Sequence, residues 1–264
     1  MFENDRWPSY IPLAKRMGIW KPIVPPFIQK IEIPEPESVP GVAGSLLTQL
    51  RDWFSCGDIC LRKGISTLPS GVSTTVRTNF VLPLNTSHSF LFDAYNKGHK
   101  LSVRSAQKMQ IAVAIQHDVQ GFVDNCLNLG KAGIPSTYRE PIMMKNLLRE
   151  CLDRNAAILC LARDAQSQVV AGAFFSKFGN RLTYHLSFAS PSGRKAGAMH
   201  AIVDAVIERH SNSHYLLDFE GSMHPGIAYF MRGFGAQEEI YHHYAWNRNP
   251  LCKIIALRRR LLSK

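Results

Sequence analysis

AILCLARDAQSQVVAGAFFSKFGNRLTYHLSFA, at residues 157–189, is the stretch that decides the fold. Three apolar runs cover residues 157–162, 169–176 and 181–189. A polar turn at residues 164–167 and the dipeptide Gly179-Asn180 separate them. Strands joined by turns this short run antiparallel to each other. The segment therefore predicts an antiparallel meander of three strands.

The segments on both sides of this meander predict a mixed sheet. Ahead of it, residues 111–115 have the pattern of a strand, and residues 118–129 and 140–152 have helical spacing. Behind it, the sequence predicts a helix, a strand, a second helix and a second strand at residues 196–210, 215–219, 226–232 and 240–246. Strands and amphipathic helices that follow one another in this way form an α/β sheet with helices on both faces.

The first half of the chain contains a weaker version of the same pattern. Prolines are frequent up to residue 40 and favour extended chain and turns there. The remaining elements are strands at residues 28–33, 59–61 and 76–84, helices at residues 41–54 and 100–109, and a helix start at residues 85–87. At the other end of the chain, residues 249–262 predict a basic terminal helix.

Charge and hydropathy restrict the class of protein. The chain carries 31 basic residues against 20 acidic ones, a formal net charge of +11. Such an excess attracts polyanions, including nucleic acids, phosphorylated substrates and anionic lipid surfaces. The sequence contains no run of about 20 apolar residues, as a membrane helix needs, and no signal-peptide pattern. We therefore expect a soluble, cytoplasmic protein without a transmembrane segment.

The cysteines and histidines do not form a metal-binding motif. The six cysteines include no CxxC pair, and most lie in apolar runs, which predicts buried reduced thiols. His242 and His243 are adjacent on a predicted strand, so their side chains point to opposite faces. Because no further ligand pair accompanies them, we expect no metal.

Four short motifs, in the same order, resemble one protein family. They are Pro25-Pro26-Phe27-Ile28-Gln29, RTNFVLPL at residues 77–84, KLSVRSAQK at residues 100–108, and Asp218-Phe219-Glu220-Gly221-Ser222 with Gly226 and FMRGFG at residues 230–235. From about residue 22 to residue 244, the chain is similar to the FemABX-like family. That family contains the peptidoglycan bridge aminoacyltransferases and forms a branch of the GNAT acyltransferase superfamily.

The resemblance implies a two-lobed architecture. Residues 109–264 are expected to form a complete GNAT lobe that ends in the basic C-terminal helix. Residues 1–108 are expected to form a shortened, GNAT-like N-terminal lobe. Met231 stands where the bridge-forming enzymes usually have a lysine associated with handling aminoacyl-tRNA, and this departure favours a different acyl donor.

Catalytic candidates lie on two strands that are neighbours in a GNAT sheet. Strand periodicity places Thr183, His185 and Ser187 on one face of their strand and residues 182, 184, 186 and 188 on the other, and it places Asp218 with Glu220. In GNAT enzymes these strands splay where the donor enters, so His185, Asp218 and Glu220 are candidates to accept the proton of the amine. A hydrogen-bonded sheet histidine and a carboxylate that only holds the glycine turn are the alternatives.

The resemblance also implies a proton donor and two anion sites. Tyr229 is the candidate to protonate a thiolate leaving group, with packing beside Phe230 as the alternative. The loop before the helix at residues 196–210 predicts a phosphate cradle of amides and cations at Gly193, Arg194, Lys195, Gly197 and Ala198. A basic stripe at helical spacing could hold a phosphate of donor or acceptor, or be a solvated face, at Lys100, Arg104 and Lys108.

Together these features predict an N-acyltransferase that transfers an acyl or aminoacyl group to an amine by direct attack. The expected donor is acyl-CoA, such as acetyl-CoA, or aminoacyl-tRNA. The expected acceptor is the amine of a small molecule or of a cell-wall precursor, and tRNA is a further candidate partner. Two alternatives stay open: an acetyl-CoA-dependent N-acetyltransferase acting on a small molecule, and a non-catalytic GNAT-like module that binds RNA or a cell-wall precursor.

Overall fold

The structure, a computed structural model, describes residues 11–16, 18–24, 29–31, 33, 41–129, 141–221 and 223–249. The predicted strand at residues 28–33 lies partly outside these ranges, and the predicted basic helix at residues 249–262 lies outside them except for its first residue. The first motif of the family resemblance, apart from Gln29, also lies outside the described residues.

From residue 41 onward the described elements follow the predicted order with one additional short helix at residues 191–196, and two short strands lie in the proline-rich segment for which extended chain and turns were predicted. Along the chain they are β1 (Leu13–Arg16), β2 (Ile19–Pro22), α1 (Val42–Trp53), β3 (Cys56–Leu61), β4 (Val72–Pro83), α2 (His88–Asp93), α3 (Lys97–Lys108), β5 (Ala112–Gln116), α4 (Val119–Leu129), α5 (Pro141–Asp153), β6 (Ala157–Arg163), β7 (Val169–Phe178), β8 (Arg181–Ala189), α6 (Pro191–Ala196), α7 (Ala198–His210), β9 (Leu216–Asp218), α8 (Pro225–Arg232) and β10 (Gln237–Asn247).

These elements form two compact units. The first consists of the described parts of Met1–Thr78 and Ile240–Lys264, and the second is Asn79–Glu239. Helices α2 and α3 belong to the second unit, although the sequence analysis assigned them to the N-terminal lobe. The expected lobes at residues 1–108 and 109–264 describe family architecture rather than compactness, and they stay a prediction.

The first unit packs one helix against a small antiparallel sheet. β10 pairs with β3 in a register that sets Tyr244 opposite Ile59. The apolar side of α1, including Leu47 and Leu50, packs on these two residues. Trp246 closes one end of this core, and its indole nitrogen donates a hydrogen bond to the carbonyl of Phe54 at 2.9 Å.

The second unit contains a mixed sheet in the order β4–β9–β8–β7–β6–β5. The pairs β5–β6, β6–β7, β7–β8 and β4–β9 are antiparallel, and β8–β9 is parallel. The antiparallel meander predicted at residues 157–189 is therefore confirmed as β6, β7 and β8. The predicted mixed α/β sheet is also confirmed, with Asp218 as the last residue of β9.

A β-bulge interrupts the pairing of β7 with β8. Phe174 lies opposite Leu186, whereas the next residue, Phe175, lies opposite Tyr184. His185 is therefore the extra residue on β8. An extra residue bends its strand and breaks the two-residue alternation of side chains. The bulge therefore changes which side chains of β8 share a face of the sheet.

The bulge corrects one sequence-based prediction. Leu182 lies in the core cluster that includes the buried side of α7, whereas the ring of Phe188 packs against Phe122 of α4 at 5.4 Å. The prediction that residues 182, 184, 186 and 188 share one face is wrong for this reason. Ser187 is likewise separated from His185, because it pairs with Ala173, a residue of the α7-facing core.

The helix predicted at residues 196–210 is divided by a glycine. Gly197 has a φ of 82°, in the left-handed region, and it separates α6 from α7. A Cβ atom at this position would lie 2.4 Å from the carbonyl oxygen of Ser102 on α3. Glycine therefore permits both the turn between the two helices and the close approach of α3 to the start of α7.

Replacing Gly197 by alanine is expected to lower the free energy of unfolding more than the matched change Gly179→Ala. Both positions have positive φ, which costs an L-residue about 1–2 kcal/mol. Only Gly197 adds a backbone clash, since nothing lies within 4 Å of a Cβ at Gly179. We expect that clash to add about 1–3 kcal/mol. Urea unfolding of both variants measures the difference, and equal losses would contradict the proposed contact.

Candidate functional site

The candidate site begins where β8 and β9 separate. Their parallel pairing covers only three residue pairs and ends with Thr183 opposite Asp218. β8 continues to Ala189, whereas β9 stops at Asp218. The sheet is therefore open beyond this pair. His185 and Glu220 lie on the two sides of the opening, with 3.3 Å between Nδ1 and Oε2.

Three side chains lie in series near this opening, joined by one hydrogen bond and one contact at ion-pair distance. The Nε2 atom of His185 lies 2.7 Å from the hydroxyl oxygen of Ser176 on β7. The Nδ1 atom of the same ring lies 3.3 Å from Oε2 of Glu220. With a proton on Nδ1, the imidazole faces the carboxylate with a donor and faces the hydroxyl with an acceptor. This arrangement suits a general base that lies next to a carboxylate.

Asp218 lies in a buried ionic network next to this series. Its Oδ2 contacts Nη1 of Arg181, and its Oδ1 accepts a hydrogen bond from the side-chain amide of Asn79 at 2.9 Å. Arg181 also binds Glu239, with 2.7 Å between Nη2 and Oε1. Burial opposes the charge of Arg181, but its hydrogen bonds to Glu239 and the attraction of Asp218 raise its pKa on balance. The arginine is thus the counter-charge of the buried carboxylate of Asp218 and the half-buried carboxylate of Glu239.

The network fixes the backbone of Glu220. The amide of Glu220 donates to Oδ1 of Asp218 at 2.8 Å. Glu220 has a φ of 56°, a left-handed conformation that is costly for a residue with a side chain and persists only when its surroundings impose it. Asp218 therefore holds the turn that points Glu220 at His185. Both predicted roles of Asp218, structural and functional, remain compatible with this contact.

The loop predicted to hold phosphate has few outward amides. The amide of Gly193 donates to the hydroxyl of Ser190, and that of Gly197 donates to the carbonyl of Arg194. Gly193, Gly197 and Ala198 are all buried. The side chains of Arg194 and Lys195, by contrast, are exposed. A phosphate at this loop would therefore meet the two cations more readily than the amides, and its binding there stays a prediction.

Helix α3 places more cations near this loop, because it packs against both α6 and α7. Arg104 and Lys108 are exposed on it. The ammonium of Lys100 donates to the carbonyl of Asp93 at 2.9 Å, so this lysine also caps the preceding helix. The predicted stripe therefore consists of two solvated cations and one lysine whose ammonium is hydrogen-bonded to the end of the preceding helix. Its role as a phosphate site stays a prediction.

Tyr229 is not brought to the His185 series. Its ring is 63% exposed on α8 and lies 6.1 Å from the ring of His99 on α3. His99 binds the carbonyl of Phe230 through Nε2 at 2.8 Å, and burial lowers its pKa. Tyr229 therefore belongs to an aromatic cluster on the α7 side of the sheet. Its predicted role as a proton donor stays a prediction.

Sequence reasoning missed four residues of this site, namely Ser176, Asn79, Arg181 and Glu239. Ser176 had a usable signal. A two-residue turn at Gly179-Asn180 sets Ser176 opposite Thr183, two residues before His185 on the same strand. The other three had no such signal, because their contacts join positions that are distant along the chain.

Metal and membrane features can be stated for the described ranges. Within them, no group of three or more histidine, cysteine, aspartate or glutamate side chains is placed to hold a metal ion. No helix described by the structure combines the length and apolar character required to cross a bilayer. Cys252 lies outside these ranges. The other five cysteines form no disulfide, and four of them are buried. Burial raises the pKa of the Cys60 thiol to about 11.

Known proteins resemble this chain in structure, but no family model or curated protein matches it in sequence. The crystal structure of FemX superposes with a TM-score of 0.62 at 11% identity, covering 96% of this chain and 89% of that one. The structure of L-PGS from Bacillus licheniformis superposes with a TM-score of 0.59 at 11% identity, covering 95% of this chain and 85% of that one.

A third solved structure supports the same conclusion. The C-terminal domain of a putative lysylphosphatidylglycerol synthetase from Agrobacterium fabrum gives a TM-score of 0.57 at 9% identity, covering 95% of this chain and 83% of that one. Identities this low establish a shared fold and not a shared reaction. The fold expected from the FemABX-like resemblance is thus confirmed, and the chain shares the fold of FemX and of the lysylphosphatidylglycerol synthetase domain.

Proposed function

We propose that the protein is a GNAT-fold N-acyltransferase that moves an acyl or aminoacyl group from a phosphate-bearing donor to an amine. The observation that carries this proposal is the His185–Glu220 pair at the opening between β8 and β9. An amine must lose a proton as it attacks an acyl carbon, so acyl transfer needs a base at the reacting centre. An imidazole next to a carboxylate is such a base.

The position of the charges supports a phosphate-bearing donor. Exposed cations lie on α3 and α6, on the α7 side of the sheet, at Arg104, Lys108, Arg194 and Lys195. His185 lies on the other side with Ser176. A donor bound at the cations could reach His185 through the opening between the strands. Acyl-CoA and aminoacyl-tRNA both carry phosphates next to a reactive acyl group, so both fit this arrangement.

The acceptor is proposed to be the amine of a small molecule or of a cell-wall precursor. FemX and the lysylphosphatidylglycerol synthetases share the fold, and the latter name describes a product in which lysine is joined to a lipid. For this chain, the opening near Glu220 is the place where a cationic amine would be attracted before it loses its proton. The carboxylate of Glu220 thus attracts the amine and contacts the imidazole of His185.

Replacing both Arg194 and Lys195 by alanine is expected to weaken donor binding. Each charge-assisted hydrogen bond to phosphate contributes about 1.5–3 kcal/mol. The matched control is Arg154→Ala, which removes an exposed arginine paired with Glu150 on α5. Isothermal titration with the donor measures both variants. Unchanged donor affinity in the double variant would remove this loop from the donor site.

A thermal-shift screen tests the proposed function directly. The protein is heated with acetyl-CoA, with aminoacyl-tRNA and with a nucleotide-linked muropeptide in separate samples. A ligand that binds only the folded state raises the melting temperature in proportion to the logarithm of its concentration. We expect one acyl donor to do so, and the shift identifies which donor. No shift with any donor, at concentrations up to the millimolar range of typical KM values, would contradict the proposal.

A further inference from the structure

We propose that β5 is an interface between two copies of this chain, in which the two β5 strands pair antiparallel to each other about Ala114. The inference goes beyond the proposed function, because it concerns the outer edge of the sheet of the second unit and not the opening between β8 and β9. It depends on the exposure of β5, on the residues that compose it and on the charges at its two ends.

β5 is a regular strand at the edge of the sheet. Among the described residues, it pairs with β6 and with no other strand, and the pairing covers all five of its residues without a shift of register. Ala112, Ala114 and Ile115 are exposed. In an antiparallel strand, alternate residues direct their backbone N–H and C=O groups away from the neighbouring strand. β5 therefore presents a row of donors and acceptors that a further strand can bond.

β5 lacks the residues that usually prevent an edge strand from pairing with another molecule. Natural edge strands are protected by lysine or proline, by a bulge or by a covering segment. The sequence of β5 is Ala-Val-Ala-Ile-Gln, which contains no charge and no proline. The outer strand of the first unit, β3, differs in both respects. The amide of Ile31 donates to the carbonyl of Cys60 on β3 at 2.8 Å, and Asp58 places a charge on the same strand.

A second copy of β5 is complementary to the first. Antiparallel pairing of all five residues about a two-fold axis sets Ala112 opposite Gln116, Val113 opposite Ile115, and Ala114 opposite itself. Val113 packs on the core cluster of the second unit, whereas Ile115 is 38% exposed. The two side chains lie on the same face of the strand. Ile115 of one copy therefore gains a β-branched neighbour, Val113 of the second copy, and such cross-strand pairs stabilise a sheet.

Charges at the two ends of β5 favour the antiparallel direction. Lys108 is exposed shortly before the strand, and Asp118 is exposed shortly after it, where one of its oxygens accepts the amide of Gly121 at 2.8 Å. The groove beside Asp118 also holds Arg149 and Asp153, whose opposite charges leave one carboxylate in excess. Antiparallel pairing brings the Lys108 end of one copy to the Asp118 end of the other, whereas parallel pairing brings like charges together. The charges therefore fit a second copy of this chain.

Two opposite substitutions at Ala114 test the inference. Because Ala114 lies on the two-fold axis, Ala114→Lys sets two ammonium groups opposite each other, and Ala114→Glu sets two carboxylates opposite each other. We expect size-exclusion chromatography with light scattering to show a wild-type dimer, and each variant to raise the dimer dissociation constant roughly 10-fold or more. An equimolar mixture of the two variants should restore the dimer. The matched control Phe178→Lys replaces an apolar side chain of the same unit that is 87% exposed, and it should leave the dimer unchanged.

Amide hydrogen exchange of the wild type keeps the test independent of how the variants fold. The amides of residues 112–116 should exchange more slowly above the dimer dissociation constant than below it. Exchange that is equally fast at both concentrations overturns the inference. A wild type that is monomeric at every concentration up to about 1 mM overturns it as well. So does a dimer that both Ala114 variants retain at wild-type strength, or one that only Phe178→Lys weakens.

Discussion

Replacing Glu220 by glutamine is expected to slow amide formation roughly 100- to 10,000-fold, the usual range for one positioned acid or base. Glutamine keeps the shape of the side chain and the backbone amide that donates to Asp218. It removes the negative charge that lies next to the imidazole of His185. The fold should therefore be preserved while the reaction is slowed. Steady-state rates per folded molecule, with melting temperatures of the same preparation, measure both effects.

The control for this variant is Glu238→Gln. Glu238 also belongs to the second unit, but it is exposed and pairs with Arg232 at 2.9 Å on the surface. Its loss should leave turnover unchanged and alter stability little. If Glu220→Gln instead lowers the melting temperature and leaves turnover per folded molecule intact, Glu220 is only a structural carboxylate of the Gly221 turn.

Arg181→Met is expected to lower the free energy of unfolding by about 3–5 kcal/mol, the usual cost of removing one partner of a buried ion pair. Arg181 is the counter-charge of Asp218 and Glu239, and its side chain is only 14% exposed. Methionine fills a similar volume but leaves both carboxylates uncompensated. Urea unfolding, with the slope checked for two-state behaviour, measures the loss.

The matched change on the surface is Arg154→Met. Arg154 pairs with Glu150 one helical turn away, and the two side chains are 74% and 62% exposed. Exposed pairs of this kind contribute about 0.3–0.5 kcal/mol. A loss at Arg181 no larger than the loss at Arg154 would mean that the buried network does not hold the β9 turn.

The meander and the helices around it were predictable because burying one side of a strand or helix requires apolar residues at a regular spacing along the sequence. Residues 157–189 alternate or run apolar between turns that permit only antiparallel pairing, and the structure has three such strands. Asp218 was predictable as a strand end because Gly221 follows it closely. Features with a local cause can thus be inferred from the sequence alone.

The arginine of the site could not be inferred in the same way, whereas the register of the Gly179-Asn180 turn already sets Ser176 opposite Thr183 on the strand of His185. The bulge at His185 also had no signal, because the spacing of apolar residues does not predict a bulge. Arg181 meets Glu239 although 58 residues separate them along the chain, and such a contact depends on the tertiary fold. The amides of Gly193 and Gly197 were expected to face outward, but capping bonds turn them inward.

Product formation by the wild type and by His185→Gln tests the central claim most directly. Each protein is incubated with the donor that raises the melting temperature and with a mixture of small-molecule and cell-wall-precursor amines, and new amides are detected by mass spectrometry. We expect the wild type to form an amide and His185→Gln to form it roughly 100-fold more slowly or less. Equal rates of amide formation in the two folded proteins would contradict the claim that transfer occurs at the opening between β8 and β9.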